Sequence, residues 1–115
     1  MKLKAVTLAI TGCILVAGLS LAVENKGAGQ IELNGGTRGH VPFPHHQHQN
    51  NLVDCNVCHE FFPQEKDAID RLKADGKLKK KQVMNKLCTK CHKEKKKAGE
   101  KTGPVTCKQC HIKGK

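Results

Sequence analysis

Cys55-Asn56-Val57-Cys58-His59, Cys88-Thr89-Lys90-Cys91-His92 and Cys107-Lys108-Gln109-Cys110-His111 are three copies of one five-residue pattern, and the rest of the chain is read around them. Nothing beside them repeats and the intervals between them differ, so the repeating unit is an attachment site and not a folded module. Two thiols three positions apart with a histidine directly after them is the spacing of covalent haem c attachment. The thiols reach the two vinyl groups of one porphyrin and become thioethers, and the adjacent imidazole lies over the iron. A Cys-x-x-Cys pair also suits half a zinc site or a dithiol redox pair, but neither requires the histidine. Three copies consume six of the seven cysteines. The expectation is three haem c groups, attached through Cys55 and Cys58, Cys88 and Cys91, and Cys107 and Cys110, with His59, His92 and His111 as proximal iron ligands.

The seventh cysteine, Cys13, falls in a different kind of segment. Lys2 and Lys4 precede an apolar, uncharged run over residues 5–22 that closes on Ser20-Leu21-Ala22 before the chain turns polar. That is the pattern of a secretory signal peptide cut after Ala22, with a retained membrane anchor as the competing reading. Residues 1–22 are therefore expected to be a removed signal, and residues 23–115 one triheme domain. Export places the mature chain in the periplasm, with no stable membrane insertion after signal removal. It also suits haem c, which is attached outside the cytoplasm.

Composition makes the same demand from another side. Removing Lys2 and Lys4 from the net charge of +11 leaves +9 on the mature chain, which has no Trp, no Tyr and three Phe. A small polypeptide so basic and so poor in large apolar side chains cannot bury enough surface to fold alone. Apolar volume not encoded as side chains must supply the core, and three porphyrins would do so. The expected fold is a small haem-packed domain, mainly short α-helices and loops, with an N-terminal two-stranded β-hairpin.

Residues 23–29 read as a loose N-terminus. Residues 30–33 and 41–43 flank the turn signal Asn34-Gly35-Gly36 and form the hairpin, and Pro42 and Pro44 stop the second strand. One helical turn over residues 45–48 follows. Pro63 opens a helix to about Ala74, closed by Gly76. A second helix over residues 77–87 carries Leu78, Val83, Met84 and Leu87, and residues 99–104 are a loop. With three histidines assigned as proximal ligands, His40, His45, His46 and His48 remain. His45 and His48 share a face of a helical turn and are expected to ligate two different irons, the bland alternative being a solvated histidine cluster. His46 points elsewhere and is expected to be exposed. His40 sits in a glycine-rich turn and fits either role.

Phe43-Pro44-His45-His46-Gln47-His48, followed by the three attachment sites, resembles the triheme periplasmic cytochromes of the c7 family, within the class III, cytochrome c3-like group. The resemblance runs from about Ile31 to the C-terminus. It implies that His45 pairs with His59 on the first haem and His48 with His92 on the middle haem, and that Phe43 packs between haems. It also marks a departure. The family places a histidine four residues before the second attachment site, as distal ligand of the last haem, and here that position is Met84. A thioether can ligate haem iron and raises its potential, so Met84 is expected opposite His111. His40 as that ligand, or Met84 as ordinary core filler, are the alternatives. Residues 61–81 form a longer connection than the family's.

The resemblance and the motifs together imply an electron carrier, passing electrons between inner-membrane donors and terminal or outer-membrane acceptors in anaerobic metal or sulfur respiration. Two ligands on every iron leave no open position for a substrate, which argues against an enzyme. The alternative is a terminal reductase of soluble metal ions. A haem-based gas sensor is disfavoured by three haems and by the absence of any output segment. Nucleic-acid binding is disfavoured by export and by the lack of stacking aromatics. The lysine runs at Lys77, Lys79, Lys80, Lys81 and at Lys93, Lys95, Lys96, Lys97 suit docking to acidic faces of redox partner proteins by a monomeric carrier.

Overall fold

The computed structural model describes residues 24–114, so the expected signal segment and Cys13 lie outside the described residues. The chain opens on a hairpin. Strand β1 (Ile31–Asn34) pairs antiparallel with β2 (His40–Phe43), with Ile31 opposite Phe43 and Leu33 opposite Val41. These apolar pairs share one face of the ribbon and stabilise it by cross-strand contact. A 3-10 turn at Gly36–Arg38 joins the strands. The hairpin also holds the end of the chain. His40 N–H donates to Ile112 O at 3.1 Å and Ile112 N–H donates to His40 O at 2.8 Å. Gly39 is needed there, because a Cβ on it would lie 2.1 Å from Ile112 O. The second strand begins at His40 and runs through Pro42 instead of stopping before it. Past His40 the far side of β2 is an edge among the described residues, and an edge tolerates the donor that proline lacks.

Helix α1 (His45–Leu52) is longer than the single turn expected. It ends in a tight three-residue turn, in which Asp54 N–H donates to Leu52 O at 2.7 Å and Val53 holds φ 64°. Helix α2 (Asn56–His59) follows directly, its first turn capped by Asp54 Oδ1 accepting from Asn56 N–H at 2.9 Å.

The helix expected from Pro63 begins five residues later, as α3 (Ala68–Ala74). Short turns occupy the intervening stretch, and Asp67, at φ 56°, cannot lie inside a helix. The end of α3 is as the sequence predicts. Gly76, at φ 71°, donates N–H to Lys73 O at 3.1 Å, and Lys77 N–H reaches back to Leu72 O at 2.9 Å. This pair of bonds closes a helix on a left-handed glycine. Leu78 folds over the end and donates N–H to Leu72 O at 3.0 Å.

The helix expected over residues 77–87 forms only in its second half. Lys77 and Leu78 are committed to the end of α3, and Lys81 has φ 66°. Four lysines within residues 77–81 also repel one another at helical spacing. Helical chain starts at Gln82, widens into a π turn at Met84–Cys88, and continues as α4 (Thr89–Lys97). Helix α5 (Cys107–Cys110) carries the third motif.

Packing of protein on protein is slight. Ala68 and Leu78 are the only buried apolar residues among those described, at 6% and 7% exposure, and no large side chain among those described is fully enclosed. The fold is a set of short helices and one hairpin.

Candidate functional site

Each Cys-x-x-Cys-His motif lies on a helical turn. Helix α2 carries the first, the π turn and the start of α4 carry the second, and α5 carries the third. A helical turn sets thiols at i and i+3 on one side. All six described cysteines are free of disulfides. The motifs also lie near one another. Burial pushes the Cys88 thiol up to about 11, and the Cys58 and Cys110 thiols beside it add to the effect. Burial raises Cys58 as well, with Cys91 and Cys55 contributing. Burial followed by Cys107 raises Cys110. Among the described residues no three His, Cys, Asp or Glu side chains converge as they would on a bare ion.

The imidazoles come in facing pairs instead. His45 and His59 have ring centroids 6.3 Å apart at 84°, and His48 and His92 have centroids 6.1 Å apart at 25°. A metal–imidazole bond is about 2 Å, and a ring nitrogen lies about 1 Å from its ring centre, so two rings sharing one metal stand roughly 6 Å apart. Both pairs fit that spacing.

The free nitrogen of each ring is fixed by its other nitrogen. Nδ1 of His45 lies 2.9 Å from Ala28 O, and that of His48 lies 2.9 Å from Pro44 O. His59 Nδ1 lies 3.2 Å from Phe62 O, and His92 Nδ1 lies 2.7 Å from Pro104 O. A carbonyl only accepts, so the proton sits on Nδ1 in all four rings. Nε2 is left with its lone pair directed away from the backbone, which is how metal-ligating histidines are prepared. His46 is held the other way round, with Nε2 2.9 Å from Gly27 O. It is half-buried, where the sequence predicts exposure.

The third motif faces a different partner. His111 Nε2 lies 3.5 Å from Met84 Sδ. That is shorter than two coordinate bonds laid end to end, roughly 4.3 Å, so seating a metal there parts the two side chains by under an ångström. The π turn delivers Met84 to this place. The extra residue re-phases the helix, and Thr89 Oγ1 donates to Met84 O at 2.6 Å. His111 Nδ1 is a buried atom without a partner among the described residues. The His40 ring sits 3.9 Å from Glu32, in an open groove with Asn34 and Asp70. It is Met84, not His40, that meets His111.

Aromatic and glycine residues complete the cradle. Phe43 packs against His48 and His45, with ring centroids 4.4 Å and 5.9 Å away. Phe62 stands edge-on to His59 at 5.5 Å. A Cβ on Gly103 would come within 2.7 Å of His92 Cε1, and one on Gly35 within 2.5 Å of His111 Nδ1. These contacts with the His92 and His111 rings are legible in sequence only as glycines, at Gly103 near the motifs and at Gly35 in the hairpin turn. Two imidazole pairs and one histidine–methionine pair, each next to a Cys-x-x-Cys pair of free thiols, are three donor sets that fit haem c.

Short helices and a hairpin arranged around three such sets define a multihaem c-type cytochrome. A family model described as "Cytochrome c7 and related cytochrome c" matches residues 41–112. A cytochrome c7 of Geobacter metallireducens is 36% identical over 75 residues, 65% of this chain and 67% of that protein. The structure is similar to that of PpcC, a cytochrome c7 from Geobacter sulfurreducens, at 33% identity and TM-score 0.53, over 76% of this chain and all of that one. It is likewise similar to triheme cytochrome PpcA from Geobacter sulfurreducens, at 34% identity and TM-score 0.53, over 75% of this chain and all of that one. The chain belongs to the cytochrome c7 family. It is an electron-transfer protein, and with three attachment motifs it carries three haem c groups.

Proposed function

We propose that this chain is a periplasmic electron carrier in which Cys55 and Cys58, Cys88 and Cys91, and Cys107 and Cys110 hold the three haems, with axial pairs His59–His45, His92–His48 and His111–Met84. The facing of these three pairs is the observation that carries the reading. Bound haem supplies a one-electron ferric–ferrous couple tuned by its axial ligands. The protein's part is to hold and orient. The backbone carbonyls of Ala28, Pro44, Phe62 and Pro104 keep four imidazoles in one tautomer, and Phe43 spaces the two distal rings. With both axial positions filled by side chains, no iron is open to a substrate. This favours a carrier over a terminal reductase of soluble metal ions.

Residues 1–22 act as a signal that is removed, and the 23–115 domain works as a monomer. No helix among the described residues is long and apolar enough to cross a membrane. Lys93, Lys96 and Lys97 on α4 are exposed, close to the second motif. Together with Lys77, Lys79, Lys80 and Lys81 they steer encounters with acidic faces of redox partner proteins. The carrier runs between inner-membrane donors and terminal or outer-membrane acceptors of anaerobic metal or sulfur respiration.

The ferric absorption spectrum of the purified holoprotein tests the axial assignment. The expected result is three low-spin haems with a weak sulfur-to-iron charge-transfer band at the red edge of the visible. A high-spin haem in the unaltered protein would point to an open coordination site and to the reductase reading.

A further inference from the structure

The segment before the hairpin is fastened to α1 and is not loose. Gln49 grips the backbone of Lys26 from both sides: its Oε1 accepts from Lys26 N–H at 3.2 Å and its Nε2 donates to Lys26 O at 2.9 Å. His46 N–H donates to Gly29 O at 3.2 Å, and His46 Nε2 lies 2.9 Å from Gly27 O. Between these contacts Ala28 O receives the Nδ1 proton of His45 at 2.9 Å. The strap also serves the helix. Pro44, the residue before α1, offers no side-chain cap, and Gly29 O satisfies one of the amide donors that a first helical turn leaves unpaired. Gly27 gives the strap its bend at φ 74°, a conformation in which side chains are strained.

The two distal histidines differ in what they lean on. His48 Nδ1 is held by Pro44 O, the residue one turn before it, so its support is local to α1. His45 Nδ1 is held by Ala28 O, 17 residues away on the exposed strap. Gln49 lies one turn after His45 on the same helix face. It is the one side chain of α1, apart from His45 and His46, that bonds the strap.

We infer that Gln49 is a positioning residue for the first haem: by clamping Lys26–Gly29 onto α1 it keeps Ala28 O on His45 Nδ1 and so sets that ligand's orientation and basicity. Hydrogen bonding from Nδ1–H to a carbonyl makes Nε2 a stronger donor. A stronger donor favours ferric iron, so the strap lowers the potential of the His45–His59 haem relative to the same site without it. The middle haem, whose distal ligand is supported within α1, serves as the internal control. This inference rests on the reading of His45 as an iron ligand, and the test separates the two.

The experiment uses the holoprotein and three variants. His45→Ala is examined first by its ferric spectrum. One high-spin haem supports ligation, whereas retention of three low-spin haems overturns both the ligand assignment and the clamp. Gln49→Leu keeps the volume and removes both hydrogen bonds to Lys26. Lys26→Pro removes the N–H that Gln49 Oε1 accepts without altering α1, and supplies the reading if Gln49→Leu yields no holoprotein. Potentials are resolved haem by haem in a redox titration followed by NMR, together with exchange of the His45 Nδ1 proton. The expected result in both variants is an upward shift confined to the haem on Cys55 and Cys58, with exchange of that proton at least tenfold faster. An unshifted first haem, or equal shifts at the first and middle haems, overturns the clamp while leaving His45 as a ligand.

Discussion

On the proposed axial pairing, Met84 is the residue on which the last haem's behaviour turns. Its Sδ faces His111 Nε2, where the rings of His59 and His92 face imidazoles. A thioether favours ferrous iron more than an imidazole does, so the haem of His111 is expected to have the highest potential and to be reduced first. Met84→His should lower that potential and abolish the sulfur-to-iron band, with the other two haems little changed. A haem-resolved titration and the ferric spectrum check both parts. Gly103 makes the complementary case for space. A side chain there meets the His92 ring at 2.7 Å, and the ring is held by its bond to Pro104 O and cannot retreat. Gly103→Val is therefore expected to cost about 2 kcal/mol by overpacking, read as a lower guanidinium midpoint of the holoprotein. Gly114→Ala, whose Cβ meets nothing within 4 Å, should leave the midpoint unchanged.

The elements were legible where the local chemistry had no competitor. Asn34-Gly35-Gly36 between alternating apolar residues specifies the hairpin, and the register Ile31–Phe43, Leu33–Val41 follows. Gly76 marks the end of α3 because only a left-handed residue can complete both closing bonds. The prediction there is purely conformational. Gly76→Ala meets no atom within 4 Å but must hold φ 71°, at a cost of about 1 kcal/mol. Amide exchange at Lys77 and Leu78 should rise about fivefold, the equivalent of that cost. Other elements were set by groups distant in sequence, and here the residues alone mislead. Pro63 suggests a helix start, but Asp67 in the left-handed region postpones it to Ala68. The π turn at Met84–Cys88 has no propensity signature. Its evidence is positional, in that it brings Met84 to a histidine 27 residues on. The strap at residues 26–29 reads as loose because its bonds are made by Gln49 and two histidines about twenty residues later. Spacing singles out His45, His48 and the three motif histidines as candidate ligands, since Cys-x-x-Cys-His and the three-residue step from His45 to His48 each fix a face, whereas Met84 was marked only by the family resemblance.

At the scale of the whole molecule the question is what replaces a core. Ala68 and Leu78 are the only buried apolar residues among those described, while Val57, Phe61 and Ile112 lie partly open at 38%, 45% and 46% exposure. A domain of this size needs apolar burial to offset an ordering cost of roughly 1–2 kcal/mol per residue, and two buried side chains contribute only a few. The net positive charge adds self-repulsion, which the propionates of three haems reduce. Tethered porphyrins would supply the missing contact area, and on the proposed pairing the axial bonds staple segments far apart in sequence, as small scaffolds require. The expected consequence is that the chain folds only with its haems attached. A variant with all six motif cysteines changed to serine, which cannot form the thioethers, is expected to show a disordered far-ultraviolet circular dichroism spectrum and no cooperative denaturant transition. Native helix content in that variant would mean that the hairpin, α1 and α3 form a stable unit by themselves, and that the porphyrins are guests in the fold instead of its interior.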